Sequence, residues 1–200
     1  MNSITGFRLA TLSLLLCALL TPPGYTTTAA HGAPAPAPEP AAQGGNIGVN
    51  GFFSVDPAQR GSTFQGAIVL DIPGGLHVNS NRPLGKYAVP TKVSIDAPRG
   101  LRVSSVSYPR GAVRTFRFGG AEAERLSVYE RTAVIRFTVT VPAGQELGVA
   151  RIRANVQFQS CSDEVCFPPA RRELTLPIAI VDRNTPTRRI NQRYFGGRRR

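Results

Sequence analysis

Composition and charge limit what this chain can be. It has 200 residues and a formal net charge of +12, but seven of its arginines follow residue 182. Residues 46–182 carry sixteen basic and eleven acidic side chains, a net of +5, and are long enough for one domain with its own core. We expect residues 183–200 to form a basic, disordered tail and the protein to have no nucleic-acid partner; binding of this tail to nucleic acid or anionic lipid is the alternative.

The first thirty residues have the pattern of a secretory signal peptide. Arg8 precedes an apolar run, residues 9–20, that is too short to cross a bilayer, and small residues suited to cleavage follow at 28–30. We interpret Cys17 as one more apolar residue of that run; the alternative is a lipidated cysteine that tethers the N-terminus to a membrane. Export to the periplasm would place the other two cysteines in an oxidising compartment, where paired cysteines are normally disulfides.

An Ala- and Pro-rich stretch, residues 31–45, separates this signal from the domain. Proline at alternate positions predicts a semi-rigid, extended linker without core-forming residues. From residue 46 onward, apolar and polar residues alternate and turn residues recur about every ten positions, which is the pattern of a β-sandwich or barrel. We predict an all-β domain of roughly seven to nine strands. The clearest candidate strands are residues 62–72, 76–80, 91–97, 101–108, 134–141, 149–159 and 174–181.

Alternation also predicts which side chains face the core. The inward residues of the last two clear strands before the cysteines are Ile135, Phe137, Val139, Val141, Ile152, Ala154, Val156 and Phe158. Counting on by parity, Ser160 continues the inward face and Cys161 the outward face. We therefore expect Cys161 to begin a loop at the end of the sheet and not to lie in the core.

Cys161 and Cys166 are separated by four residues, so we predict a disulfide that closes a very short loop. In the loop-entropy model a loop of this length stabilises a fold by only about 2 kcal/mol, against about 4.7 kcal/mol for a hundred-residue loop. A bridge placed for stability would better join distant strands. The pair is therefore a plausible redox switch, and the alternative is a structural clasp in a non-enzymatic binding or adaptor domain.

Other chemistries lack the residues that they need. One Cys-x4-Cys pair with a single nearby histidine has neither the ligand number nor the spacing of a zinc site, and the only methionine is Met1, which leaves no ligand set for copper. The sequence contains no Ser-His-Asp arrangement and no phosphate-binding glycine loop. We expect no metal and no cofactor.

Several motifs together resemble the N-terminal periplasmic domain of the thiol:disulfide interchange protein DsbD. The most specific are VQFQSC, which ends at Cys161, and CFPP, which begins at Cys166. Weaker likenesses are GLHVN with PT at residues 75–79 and 90–91, VSYP at 106–109 and LSVYE at 126–130. The resemblance implies an immunoglobulin-like β-sandwich, found here as a stand-alone relative of that domain.

The resemblance also implies roles for particular residues. In that family the second cysteine engages the partner, which would be Cys166 here, while Cys161 resolves the mixed disulfide. An aromatic cap loop shields the pair, and Phe116 or Phe118 is the candidate cap. The implied partners are a membrane thiol donor of the DsbD type and thioredoxin-like periplasmic proteins, and we expect the chain to be a monomer.

Three further residues are candidates for modulating the pair. Asp163 and Glu164 lie between the cysteines, where carboxylates disfavour a thiolate and raise the thiol pKa. The alternatives are that Arg171 and Arg172 offset these acids, or that the acids are ordinary loop polarity, which explains them equally well. His77 is a candidate proton shuttle on the family pattern, although a lone histidine on a strand is more often a hydrogen-bonded polar residue. We predict an exported thiol–disulfide interchange module, which would act as a component of a protein-disulfide reductase system.

Overall fold

The computed structural model describes residues 45–120 and 122–196. The expected signal peptide and nearly all of the expected linker lie outside this part of the chain. Fourteen strands occur in the described residues, and nine of them are three residues or longer. They are β1 Gly48–Phe53, β2 Val55–Asp56, β3 Ala58–Gln59, β4 Thr63–Asp71, β5 His77–Asn79, β6 Lys92–Asp96, β7 Arg102–Val103, β8 Ala112–Phe116, β9 Glu124–Tyr129, β10 Thr132–Thr140, β11 Gly148–Phe158, β12 Ser160–Cys161, β13 Ala170–Val181 and β14 Arg188–Arg189.

The strands form an immunoglobulin-like β-sandwich, so the predicted all-β class is confirmed. The first sheet has the order β1-β4-β10-β7 and the second has the order β3-β13-β11-β6. Ile135 and Phe137 of the first sheet belong to the same buried cluster as Ile152 and Phe158 of the second, which places the core between these two sheets. The sequence predicted eight inward-facing side chains on β10, Val141 and β11, and all eight are buried. None of the helical segments in the described ranges is long and apolar enough to cross a membrane.

A third sheet, β12-β5-β9-β8, carries the first cysteine and overturns the expectation for it. Cys161 is fully buried, as is Ser160, whereas parity placed Cys161 on an outward face. The reason is that β11 ends at Phe158 and β12 then pairs with β5 in the third sheet, opposite Val78 and His77. Alternation predicts orientation only while a strand stays in one sheet.

The C-terminal segment also differs from the expectation of a disordered tail. Residues 183–196 include β14, which pairs with β2, and a short helix α1, Gln192–Phe195. The Tyr194 ring stacks on Phe52 with centroids 4.5 Å apart, and the Arg136 Nε donates a hydrogen bond of 2.8 Å to the Tyr194 carbonyl. Through these contacts the segment lies against the first sheet at Phe52 and Arg136.

Candidate redox site

Cys161 and Cys166 form a disulfide with an S–S distance of 2.04 Å and a Cα–Cα distance of 3.9 Å. They face each other across a small antiparallel pair. The Phe167 amide donates to the Ser160 carbonyl at 2.9 Å, and the Ser162 amide donates to the Val165 carbonyl at 2.8 Å. The cysteines therefore occupy the non-hydrogen-bonded position between these two bonds, where opposing side chains approach most closely.

The turn between the cysteines is held by its own hydrogen bonds. The Ser162 hydroxyl accepts from the amides of Glu164 and Val165 at 3.2 and 3.1 Å. It also lies 3.3 Å from the Val165 carbonyl, to which it donates. Together with the backbone bonds at either end, these contacts restrain the turn in addition to the disulfide.

The two cysteine residues differ in their exposure to solvent. Cys161 is fully buried, whereas Cys166 is partly exposed and lines a groove of about 460 Å³. Cys166 is therefore the cysteine that is open to a group arriving from solvent. Attack on one particular sulfur of a bridge is a determinant of exchange rate.

His77 lies directly opposite Cys161 in the pairing of β5 and β12. Side chains at directly opposed positions share one face of a sheet, so the imidazole and the buried sulfur are neighbours. Only 3% of His77 is exposed, and its Nε2 is buried with no hydrogen-bond partner in the described residues. Burial lowers the pKa of His77 below its ordinary value, and the nearby carboxylates of Asp163 and Glu130 partly oppose this shift.

An aromatic stack covers the histidine. The Phe116 ring lies on the His77 imidazole with centroids 4.0 Å apart and an interplanar angle of 18°. Phe118 stacks on Phe116 at 5.6 Å and lines the same groove as Cys166. The two candidate cap residues therefore occupy different positions: Phe116 shields the histidine beside Cys161, and Phe118 forms part of the wall beside Cys166.

The segment that carries these rings is anchored to its neighbour strand. β8 pairs with β9 along its whole length, from Ala112 opposite Val128 to Phe116 opposite Glu124. The Arg114 guanidinium also forms a two-pronged ion pair with Glu130, with bonds of 3.0 and 2.8 Å. After Phe118, Gly119 has φ of 57°, a left-handed backbone conformation that glycine adopts at little cost.

Gln159 is a site residue to which the sequence assigned no role. Its Oε1 accepts from the Asn79 Nδ2 and from the Val89 amide, both at 3.0 Å. Its Nε2 donates to the Phe167 carbonyl at 3.2 Å. One side chain thus joins β5, the loop of residues 81–90 and the residue after Cys166. Its place two residues before Cys161 was visible in the sequence, but its three partners depend on long-range pairing.

The groove contains two further residues that sequence reasoning missed, Tyr87 and Glu124. Tyr87 is 81% exposed, and an aromatic residue in a polar loop was the available signal for it. Nothing in the sequence distinguished Glu124. All seven candidates from the sequence lie at this end of the domain: Cys161, Cys166, His77, Phe116, Phe118, Asp163 and Glu164. Within residues 45–120 and 122–196, no group of three or more His, Cys, Asp and Glu side chains is arranged to hold a metal ion.

The fold and the sequence now define the class: an all-β domain with its disulfide at one end of the sandwich. Residues 50–178 match the family described as thiol:disulfide interchange protein DsbD, N-terminal. The chain therefore belongs to this family, whose members take part in thiol–disulfide interchange. No curated protein sequence matches the chain significantly.

Two solved structures are similar in shape at low identity. The N-terminal periplasmic domain of ScsB from Proteus mirabilis is 13% identical with a TM-score of 0.45, and the match covers 66% of this chain and 48% of that one. The reduced N-terminal domain of DsbD from Neisseria meningitidis is 18% identical with a TM-score of 0.40, covering 70% of this chain and 88% of that one. The chain thus spans about half the length of the ScsB structure. The family assignment rests on the sequence match alone.

Proposed function

We propose that this chain is an exported module that passes reducing equivalents through its Cys-x4-Cys pair. The observation that carries the proposal is the pairing of a partly exposed Cys166 with a fully buried Cys161. Membership of the DsbD N-terminal family supports thiol–disulfide interchange as the general activity. The hydrogen bonds of Ser162 restrain the turn in addition to the bridge, so we expect the turn to persist when the bridge is reduced.

The exchange proceeds in two balanced steps. The Cys166 thiolate attacks one sulfur of a partner disulfide; the Cys166–partner bond forms, the partner bond breaks, and one partner thiolate leaves. The Cys161 thiolate then attacks the Cys166 sulfur, restores the Cys161–Cys166 bond and releases the second partner thiolate. The partner gains two electrons and the module loses two. A donor dithiol reverses both steps and reduces the module again.

His77 supplies a proton site for the buried cysteine. As a neutral imidazole it accepts the proton of the Cys161 thiol when that thiol becomes the attacking thiolate. It returns the proton when the bridge opens and Cys161 leaves. The support for this role is the position of His77 opposite Cys161, together with a burial-lowered pKa that keeps the imidazole neutral at pH 7.

Asp163, Glu164 and the two phenylalanines restrain the pair when no partner is docked. Both carboxylates are exposed on the turn beside Cys166, where negative charge raises the pKa of a thiol and slows unspecific exchange. Phe118 shields the Cys166 side of the groove and Phe116 shields the Cys161 side.

Location and partners complete the proposal. We place the module in the periplasm, delivered by a signal peptide at residues 1–30 and spaced by the linker at 31–45. The thiol donor is a membrane protein of the DsbD type, and the acceptors are thioredoxin-like proteins. The module acts as a monomer, without metal or cofactor, and any membrane contact is through the N-terminus.

The equilibrium reduction potential of the Cys161–Cys166 bond tests this proposal. Titration against glutathione or dithiothreitol, with thiol trapping, should give a value near those of thioredoxin-like exchangers, and the reduced protein should stay folded. A potential below about −300 mV, or unfolding on reduction, identifies a structural clasp.

A pair of trapping variants tests the two cysteine roles. Cys161→Ser should accumulate mixed disulfides with partners, because Cys166 remains and nothing resolves the bond. The matched Cys166→Ser variant should accumulate few, since its remaining thiol is buried. Equal trapping by both variants contradicts the assignment.

A further inference from the structure

Two carboxylates line the groove beside Cys166. Glu124, from the start of β9, and Glu164, from the turn between the cysteines, both line it. No lysine or arginine is among the groove residues, and neither carboxylate has an ion-pair partner within the described ranges. The nearest positive charge shown is that of Lys86, whose ammonium lies over the ring of the groove residue Tyr87, 5.3 Å from the centroid, and so stands at the exposed edge of the groove.

The floor of the groove adds another acceptor. Asn79 is fully buried and lines the groove; its Nδ2 is bonded to Gln159, whereas its Oδ1 has no hydrogen-bond partner in the described residues. Buried polar atoms normally have a partner, so this acceptor has capacity for a donor, which water or a bound segment would supply. The carboxylates and the amide oxygen all favour hydrogen-bond donors and positive charge.

The remaining walls are apolar and accessible. Tyr87 is 81% exposed and Val165 is 53% exposed, and Phe118 and Leu126 complete this part of the lining. An apolar groove with a few polar groups beside a reactive atom is typical of a recognition site. This lining suits a peptide segment that brings its own cysteine to Cys166.

We propose that this groove selects cysteine-bearing segments with a lysine or arginine next to the reactive cysteine, and that Glu124 and Glu164 are the residues that determine this selectivity. The inference rests on the proposed function and names the chemistry of its partner. Charges at the rim of an interface act mainly on association rate and on the rejection of like-charged partners. The selectivity therefore appears as a rate difference that salt reduces.

Chromogenic peptides provide the test in the full chain. In the Cys161→Ser variant the Cys166 thiolate attacks peptides whose single cysteine is bonded to nitrothiobenzoate. The Cys166–peptide bond forms and the nitrothiobenzoate thiolate leaves, so its absorbance reports the rate. Three peptides differ only in the residues flanking the cysteine, which are Lys, Ser or Glu. We expect the Lys peptide to react about threefold to tenfold faster than the Glu peptide at low ionic strength.

The ratio of the two rates isolates recognition from thiol reactivity. Glu124→Gln with Glu164→Gln alters the thiol pKa for every peptide alike, but should bring the Lys/Glu ratio close to one. Glu146→Gln is the matched control, because Glu146 is exposed in the turn before β11, at the end of that strand away from Phe158, and should keep the ratio.

Each outcome decides a different point. The inference is overturned if the Lys and Glu peptides react equally fast with the Cys161→Ser protein. It is also overturned if their rate ratio is unchanged by Glu124→Gln with Glu164→Gln. Either result leaves interchange itself intact. If no peptide reacts although the Cys166 thiol titrates after unfolding, the proposed function fails and the inference fails with it.

Discussion

At the scale of single residues, His77 connects the chemistry of the pair to pH. Its position opposite Cys161 and beneath Phe116 removes it from water, and this burial lowers its pKa below the ordinary value of 6.5. The unfolded chain therefore binds a proton at a higher pH than the folded chain does. By linkage, the stability that comes from this neutral histidine is complete above pH 6.5 and is lost as pH falls toward the folded-state pKa.

This difference predicts a measurable slope. The free energy of unfolding of the natural sequence should fall between pH 7.5 and 5, on the order of 1 kcal/mol for each unit of pKa shift. His77→Gln should show a shallower fall over the same range, because it removes only this titration. Urea denaturation at several pH values, compared between the two proteins, gives the result. Parallel profiles would mean that His77 titrates alike in the folded and unfolded states.

At the scale of elements, the segment that carries Phe116 and Phe118 contains one ring that shields the groove and one ring that is packed in the fold. Phe118 is partly exposed and lines the groove with Cys166, whereas Phe116 is buried against His77. Phe118→Ala should therefore open the groove and speed alkylation of reduced Cys166 by iodoacetamide severalfold, with the fold intact. Val113→Ala is the control, since Val113 is 45% exposed on β8 and lies outside the groove. An unchanged alkylation rate in Phe118→Ala would show that Phe118 shields nothing.

The C-terminal segment is a second element with its own prediction. Tyr194 stacks on Phe52 and holds α1 against the first sheet, and neither ring lines the groove. Tyr194→Ala should lower the free energy of unfolding by about 1–2 kcal/mol, from the lost aromatic pair and its buried area. Its reduction potential should not change. Asn184→Ala, at an exposed position of the same segment, should leave both quantities as they are. A shifted potential in Tyr194→Ala would couple this segment to the site.

Individual elements show where sequence reasoning succeeds and where it fails. β10 and β11 were predictable because period-two alternation is a local property of strands that stay in one sheet. The burial of Cys161 was not, because the chain changes sheets after Phe158. The ordered C-terminal segment was not predictable either. Its anchors Ile190 and Tyr194 are few among many arginines, and their partners, Ser54 and Phe52, are distant in sequence. The cysteine motifs identified the site, but the groove residue Glu124 required the pairing of β9 with β8.

At the scale of the whole molecule, the effect of the bridge on folding stability and its effect on reduction potential are thermodynamically linked. A thermodynamic cycle joins oxidised and reduced protein, each folded or unfolded. The free energy that the bridge adds to folding therefore equals the difference between the potentials of the folded and unfolded pair. Closing this short loop adds about 2 kcal/mol in the entropy model, which corresponds to about 40 mV for a two-electron couple.

The two routes to this quantity are independent and must agree. The first compares the free energy of unfolding of the oxidised protein with that of Cys161→Ser/Cys166→Ser, which represents the reduced state. The second compares the reduction potential in native buffer with that in enough urea to unfold both forms. A gap near 40 mV leaves the fold nearly indifferent to the bridge, so partners can open and close it without unfolding the domain. A gap near 100 mV, or almost 5 kcal/mol, would mean that the fold depends on the bridge and that the pair is a clasp.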